Sequence, residues 1–263
     1  MNEDDQSAAA PIWLIGCGNM GGALLRRWLG EGLGPVVVID PAARSLPDGV
    51  TALQRPPADG KPDIVVLAVK PQAWHQAVLP LAGRLGPLTL VISVMAGVRT
   101  DDLARLFPGA GIVRAMPNTP AAVGQGVTAL FTRDGDIVQG AAEALFQPVG
   151  ATVWLSDEAQ FDAVTALSGS GPAYVFHMIE ALAAAGAAAG LEPGMAMALA
   201  RQTVIGAAAL AVHDRAASAA TLRERVTSPG GTTAAGLDVL MPALTPLLEQ
   251  VIAAAAARSR ELG

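Results

Sequence analysis

The stretch from Ile12 to Leu25 constrains this chain more than any other. Four apolar residues, Ile12 to Ile15, predict a short buried strand, and Ala23, Leu24 and Leu25 open a helix. Between them Gly16, Gly18 and Gly21 stand in the G-x-G-x-x-G spacing. Each glycine has its own task in such a turn. Gly16 allows the tight bend, Gly18 lets a pyrophosphate approach the backbone, and Gly21 lets helix and strand pack closely. The helix N-terminus offers that phosphate unpaired N–H groups and a partial positive charge. A second apolar run, Val36 to Ile39, ends in Asp40. An acid there, about 20 residues beyond the turn, accepts hydrogen bonds from ribose hydroxyls. Together these features predict a dinucleotide site.

The chain has 263 residues, enough for one large domain or two modest ones. Hydrophobic residues make up 52% and aromatics only 4%, much of the rest being alanine, which describes closely packed helices. A net charge of −6 without a basic run argues against a nucleic-acid partner. The acidic N-terminus lacks the basic and apolar regions of a signal peptide. Glu180, Glu192, Arg201 and His213 interrupt the alanine-rich C-terminal half, so no membrane span is expected. Cys17 is the single cysteine, which excludes an internal disulfide and fits a cytoplasmic protein. It reads as a small filler of the glycine turn.

Residues 1–10 read as a disordered tail. From Pro11 to about Leu155, seven apolar runs alternate with helical patterns: 12–15, 36–39, 64–69, 90–94, 112–116, 127–131 and 152–155. The helices between them are expected at 24–29, 72–85, 101–107 and 136–146, with Thr100 as a capping hydroxyl before Asp101 and Asp102. This alternation predicts an α/β, Rossmann-type, doubly wound parallel sheet. Beyond Leu155 no strand is expected. Helices are predicted at 157–167, 172–189, 193–212, 219–226, 232–240 and 246–261, the last capped by Thr245 before Pro246. The expected organisation is a dinucleotide-binding domain, 11–156, followed by an all-α domain, 157–263. Gly186, Gly190 and Gly206 suggest close helix–helix approach.

In a doubly wound sheet, ligands bind beyond the carboxyl ends of the strands. Ala68 to Pro71, Val94 to Gly97 and Met116 to Pro120 fall at such ends. Lys70 is one of only two lysines, and Asn118 suits either a carboxamide contact or a cap of its own turn. Two glycine-rich segments, Leu167–Tyr174 and Val226–Ala235, each place hydroxyls and unencumbered N–H groups before a helix, which suits a small carboxylate or phosphate. No Ser-His-Asp arrangement and no Cys/His metal spacing is legible, so no metal site is predicted. A site short of acids and bases suggests hydride transfer, in which the cofactor carries the hard chemistry.

Five motifs together resemble pyrroline-5-carboxylate reductase. They are Ile15 to Met20, Ala68 to Pro71, Met116 to Pro120, Asp162 to Tyr174 and Ser228 to Thr233, and the likeness runs from about Ile12 to Leu262. The resemblance implies reduction of 1-pyrroline-5-carboxylate to L-proline by NADPH or NADH, the last step of proline biosynthesis. It implies a helical dimerisation domain, an active site at the dimer interface, and a homodimer or an assembly of dimers. Carried over by position, Ile15, Gly16, Cys17, Gly18, Asn19 and Met20 hold the cofactor. So do Ala68, Val69, Lys70, Pro71, Val94, Met95 and Ala96, with Glu158 nearby; Asp40 and Asn118 join the cofactor candidates from their places at the strand ends. Ser228, Gly230, Gly231, Thr232 and Thr233 bind substrate, and Thr233 orients or relays a proton to the ring nitrogen. Two positions depart from the family pattern: Arg225 and Arg55 stand where relatives often carry asparagine.

Rival readings are another NAD(P)-dependent imine or β-hydroxy acid oxidoreductase, and a non-catalytic dinucleotide-binding regulator. β-Hydroxy acid dehydrogenases of this build generally use a lysine on a C-terminal-domain helix, and no lysine follows Lys70. Asp40 favours NADH because a 2′-phosphate beside it meets like charge, whereas Arg44 and Arg55 offset it. Both cofactors are therefore expected to serve, NADH at least comparably to NADPH.

Overall fold

The computed structural model describes residues 11–44 and 46–262. The expected tail, 1–10, lies outside them. The chain forms two compact units, which are described separately: among the described residues, 11–169 with 256–262, and Ser170–Ala255.

The first unit is built on one eight-stranded sheet. Its strands are β1 (Ile12–Ile15), β2 (Val36–Ile39), β3 (Ala52–Leu53), β4 (Ile64–Leu67), β5 (Leu90–Ser93), β6 (Gly111–Pro117), β7 (Gly126–Thr132) and β8 (Gly150–Trp154). Their spatial order is β3-β2-β1-β4-β5-β6-β7-β8. All pairings are parallel except β6 with β7. Only residues 118–125 link those two strands, too few for the crossover that a parallel pair needs, so the chain reverses there. Helix α4 (Asp136–Phe146) then supplies a crossover to β8. Strand β3 escapes sequence reading because two residues carry no periodicity.

Both faces of the sheet are covered, which explains why its central strands read as unbroken apolar runs. Along β1, Ile12 and Leu14 join the core cluster containing Trp28, Val66, Ile92 and Phe146. Trp13 and Ile15 join the opposite one, with Val65, Val91, Leu103 and Phe107. Helix α1 (Asn19–Gly30) is fastened across the first face: Trp28 Nε1 donates to the Leu145 carbonyl at 2.8 Å, and Arg27 Nε donates to that of Pro148 at 2.8 Å. The helix expected at 72–85 is reduced to α2 (Trp74–Val78) between two 3₁₀ turns, Pro71–Ala73 and Leu79–Leu81. Pro80 lacks an N–H and clashes with the carbonyl four residues back, which stops the α-helix.

Helix α3 (Thr100–Leu106) corrects a capping expectation. Arg99 is the N-cap, and the Thr100 hydroxyl caps nothing on its own helix. Glu158 does the work from far along the chain. Its Oε1 accepts from Thr100 N at 2.9 Å and its Oε2 accepts from Thr100 Oγ1 at 2.9 Å. Arg114 on β6 completes the clamp with an ion pair of 3.1 Å to Glu158 and a guanidinium 4.2 Å above the Phe161 ring. An acid beside a helix N-terminus is favourable, and this one is only 5% exposed. It ties α3, β6 and the 158–160 turn together.

The second unit is helical: α6 (Gly171–Ala188), α7 (Pro193–His213), α8 (Ala219–Arg225) and most of α9 (Thr232–Leu262). The short α5 (Phe161–Val164) and the π turn Thr165–Gly169 belong to the first unit, because Phe161 is buried with Ala129 and Phe131. The division between units therefore falls after Gly169, whereas the sequence puts the boundary after Ser156. Helix α9 runs unbroken through Pro242 and Pro246, so the expected break with Thr245 as a cap is absent. Gly186 brings α6 close to α7, where a Cβ would sit 3.3 Å from that of Ala196. By length and composition α7 and α9 pass for membrane spans, although Arg201 and Glu249 interrupt them.

Removing Glu158 leaves the mostly buried Arg114 without its partner, a change that typically costs about 3–5 kcal/mol. Glu158→Ala should therefore lower the urea midpoint strongly. Glu158→Gln, which keeps an acceptor for Thr100, should lower it less. Equal midpoints for wild type and Glu158→Ala would remove the clamp from the stability argument.

Candidate dinucleotide and substrate sites

The three glycines of the first turn behave as three different physical cases. Gly16 sits at φ +93°, and a Cβ there would lie 2.7 Å from the Ala68 carbonyl oxygen. A Cβ on Gly21 would lie 2.2 Å from the Gly16 carbonyl oxygen, so strand and helix meet backbone to backbone. Around Gly18 nothing lies within 4 Å of such an atom, leaving open space beside the N-terminus of α1. That N-terminus has no side-chain cap and no acid in its first turn. Its N–H groups and dipole are available to an anion.

A cleft of about 1050 Å³ opens here, lined by Ile15 to Asn19, Asp40 and Ala68 to Lys70. Asp40 braces it. Its Oδ2 accepts from Cys17 N at 2.7 Å and its Oδ1 from Ala42 N at 2.8 Å, which fixes the turn after β2. Each oxygen keeps a further lone pair for a ribose hydroxyl. Cys17 is buried, and its thiol is pushed up by that burial and then by the Asp40 charge, while Arg26 pulls it down. It is a protonated filler. Arg26, Arg44 and Arg55 also line the cleft. Arg26 was not singled out by sequence reading, although its place four residues after Gly22 was there to be read.

The remaining expected cofactor residues divide. Met20 and Val94 pack against the core, and Met95 is buried in it. Pro71 and Ala96 line a second cavity of about 450 Å³ with Gln72, Arg99, Arg114 and Glu158. Neither Glu158 nor Asn118 lines the glycine-turn cleft. Asn118 donates through Nδ2 to the Ser168 carbonyl at 3.1 Å and accepts at Oδ1 from Val127 N at 2.9 Å. These bonds hold the loop between β6 and β7 and tie it to the Ser168 backbone. Glu158 likewise has both oxygens engaged by Thr100 and Arg114.

In the second unit, Ser228 to Gly231 form a turn in which Gly231 N donates to the Ser228 carbonyl at 3.0 Å and Gly230 sits at φ +71°. Thr232 and Thr233 open α9, exposed and with no acid in the first turn. This helix start combines unpaired N–H groups with two hydroxyls, as a carboxylate requires. Arg225 is paired with Asp214, whose carboxyl is held below the usual range chiefly by the Arg225 hydrogen bond. The other glycine-rich segment is less open, since Ser168 Oγ donates to the Val164 carbonyl at 3.1 Å.

Residues 158–262 match the family model for pyrroline-5-carboxylate reductase dimerisation, and residues 11–97 match that for NADP oxidoreductases, coenzyme F420-dependent. A pyrroline-5-carboxylate reductase of Pseudomonas aeruginosa is 40% identical over 95% of this chain and 96% of its own. The solved structure of the Coxiella burnetii pyrroline-5-carboxylate reductase superposes with a TM-score of 0.86 at 36% identity, covering 97% of this chain and 99% of that one. The Plasmodium falciparum enzyme, solved with NADP bound, gives 0.79 at 26% identity over 97% and 98%. With an open glycine turn, a braced acid at the end of β2 and this agreement along the whole fold, the chain belongs to the pyrroline-5-carboxylate reductase family.

Proposed function

We propose that this protein reduces 1-pyrroline-5-carboxylate to L-proline, using NADPH or NADH, as a homodimer or an assembly of dimers in the cytoplasm. The observation that carries the reading is the pairing of two anion-accepting helix starts, each free of acids in its first turn, with whole-chain similarity to enzymes of this name. The first suits a pyrophosphate and the second a small carboxylate.

A bound nicotinamide supplies the hydride. What remains for the protein is to hold the imine carbon where the hydride is delivered and to let the nitrogen gain its proton. The start of α9 holds the substrate carboxylate through the N–H groups after Gly230 and the hydroxyl of Thr232. Thr233 offers a hydroxyl to the ring nitrogen. A threonine hydroxyl is a weak acid, so its part is to orient the ring and relay a proton from solvent. Orientation of this kind accounts for much of the rate in a reaction with so little acid–base chemistry.

Mixing the protein with the imine and NADPH should discharge the absorbance of the reduced nicotinamide, and no hydroxy acid should replace the imine. Persistence of that absorbance with both cofactors would overturn the reductase reading in favour of a binding role. Thr233→Ala should lower kcat/KM for the imine by about ten- to a thousand-fold while cofactor affinity holds. Wild-type turnover in that variant would take Thr233 out of the mechanism.

The helical unit leaves Val175, Phe176, Leu199 and Leu210 exposed on the single chain. Light scattering at micromolar concentration should accordingly give a mass of at least two chains. An active species of one chain would refute the dimer.

A further inference from the structure

The dinucleotide cleft holds an arrangement of charge that neither its glycine turn nor Asp40 requires. Three guanidiniums, on Arg26, Arg44 and Arg55, line it together with Lys70, against the one carboxylate of Asp40. Among the described residues, none of the three arginines forms an ion pair or a side-chain hydrogen bond, in a chain where most other arginines do. Like charges gathered in one concave surface repel one another and focus a positive potential. Such a cluster is stabilised when a polyanion enters.

Arg26 is the member whose position the fold dictates. It stands on α1 one helical turn after Gly22, so its side chain folds back toward the N-terminus of the helix. Gly22 has no side chain to obstruct it: a Cβ built there would sit 3.4 Å from one terminal nitrogen of Arg26 and 3.7 Å from the other. The same point lies 3.8 Å from the Cys17 carbonyl oxygen. The guanidinium is thereby laid along the first turn of α1, beside the residue whose N–H is held by Asp40.

Asp40 is the argument on the other side, and the structure weakens it. Both of its oxygens accept backbone N–H groups, so its charge is already partly neutralised by two donors. A ribose 2′-phosphate brought to the end of β2 meets one such carboxylate and three guanidiniums whose planar forks match phosphate oxygens.

We infer that Arg26 is a specificity-determining residue which, with Arg44 and Arg55, selects the dinucleotide bearing a 2′-phosphate, NADPH over NADH. The inference rests on the dinucleotide reading of this cleft. It reverses the balance drawn from sequence, where Asp40 was weighed against Arg44 and Arg55 alone.

The test compares two nucleotides that differ only in that phosphate, 2′,5′-ADP and 5′-AMP, by calorimetric titration of the full-length protein. Wild type should bind 2′,5′-ADP at least about ten-fold more tightly, and Arg26→Ala should cut that advantage by about ten-fold. Arg26→Lys should retain part of it, and melting temperatures should confirm that both variants are folded. In turnover, wild type should show the higher kcat/KM with NADPH. No advantage for 2′,5′-ADP in wild type, or an advantage left intact in Arg26→Ala, would overturn the inference. Neither nucleotide carries a nicotinamide or meets an imine. A failure here therefore leaves the reductase reading standing, and a failed imine assay leaves this test standing.

Discussion

The close backbone approach at the first turn governs the rest of the first unit. Gly21 meets the Gly16 carbonyl at a distance no side chain allows, and Gly16 in turn presses on Ala68 at the end of β4. This draws α1 down onto the sheet, so that Leu24, Leu25 and Trp28 reach the core and Trp28 reaches the Leu145 carbonyl. The same approach points the uncapped N-terminus of α1 at the cleft. Packing and anion binding are two results of one contact. Any side chain at Gly21 would damage both, and they cannot be tuned separately there.

The second unit follows a different logic. Helices α6, α7 and α9 are apolar around most of their circumference and bury little of it within the single chain. An apolar surface of that extent is unfavourable in water and marks an interaction face. By length and composition α7 and α9 also pass for membrane spans, while the family model that matches 158–262 is one for dimerisation. Small residues at Ala183, Gly186, Ala196 and Ala200 let α6 and α7 sit close, which leaves their outer faces broad.

Much of this was legible in the residues. The strands at 12–15, 36–39 and 64–67 announce themselves because they are wholly apolar, and the one at 90–93 departs from this only at Ser93. Helix α4 was legible at both ends. What escaped was anything set by distant partners. Thr100 looks like a cap from its neighbours, but Glu158, far along the chain, takes both its donors. The reversal at β7 depends on the length of a loop, which a pattern of apolar residues does not weigh. Pro246 signals a helix start locally, yet α9 runs through it. In the site, the glycine turn and Asp40 were plain from spacing. The bond from Asn118 to the Ser168 carbonyl is one that no local pattern reveals.

Net charge was the least informative quantity of all. A chain at −6, with 23 acids against 17 bases, looks poorly suited to a polyanionic cofactor. At physiological ionic strength, however, exposed charges act over only about 8 Å. What an entering phosphate meets is the lining of one cleft, where Arg26, Arg44, Arg55 and Lys70 face Asp40 alone. Among the described residues several acids are paired on the surface instead, as Asp101 with Arg133, Asp102 with Arg105 and Glu261 with Arg258. Leaving the cleft arginines without partners removes the competition that an internal carboxylate would offer. The acidic balance of the whole chain and the basic lining of its cleft are therefore compatible, because an entering phosphate responds to the charges nearest it.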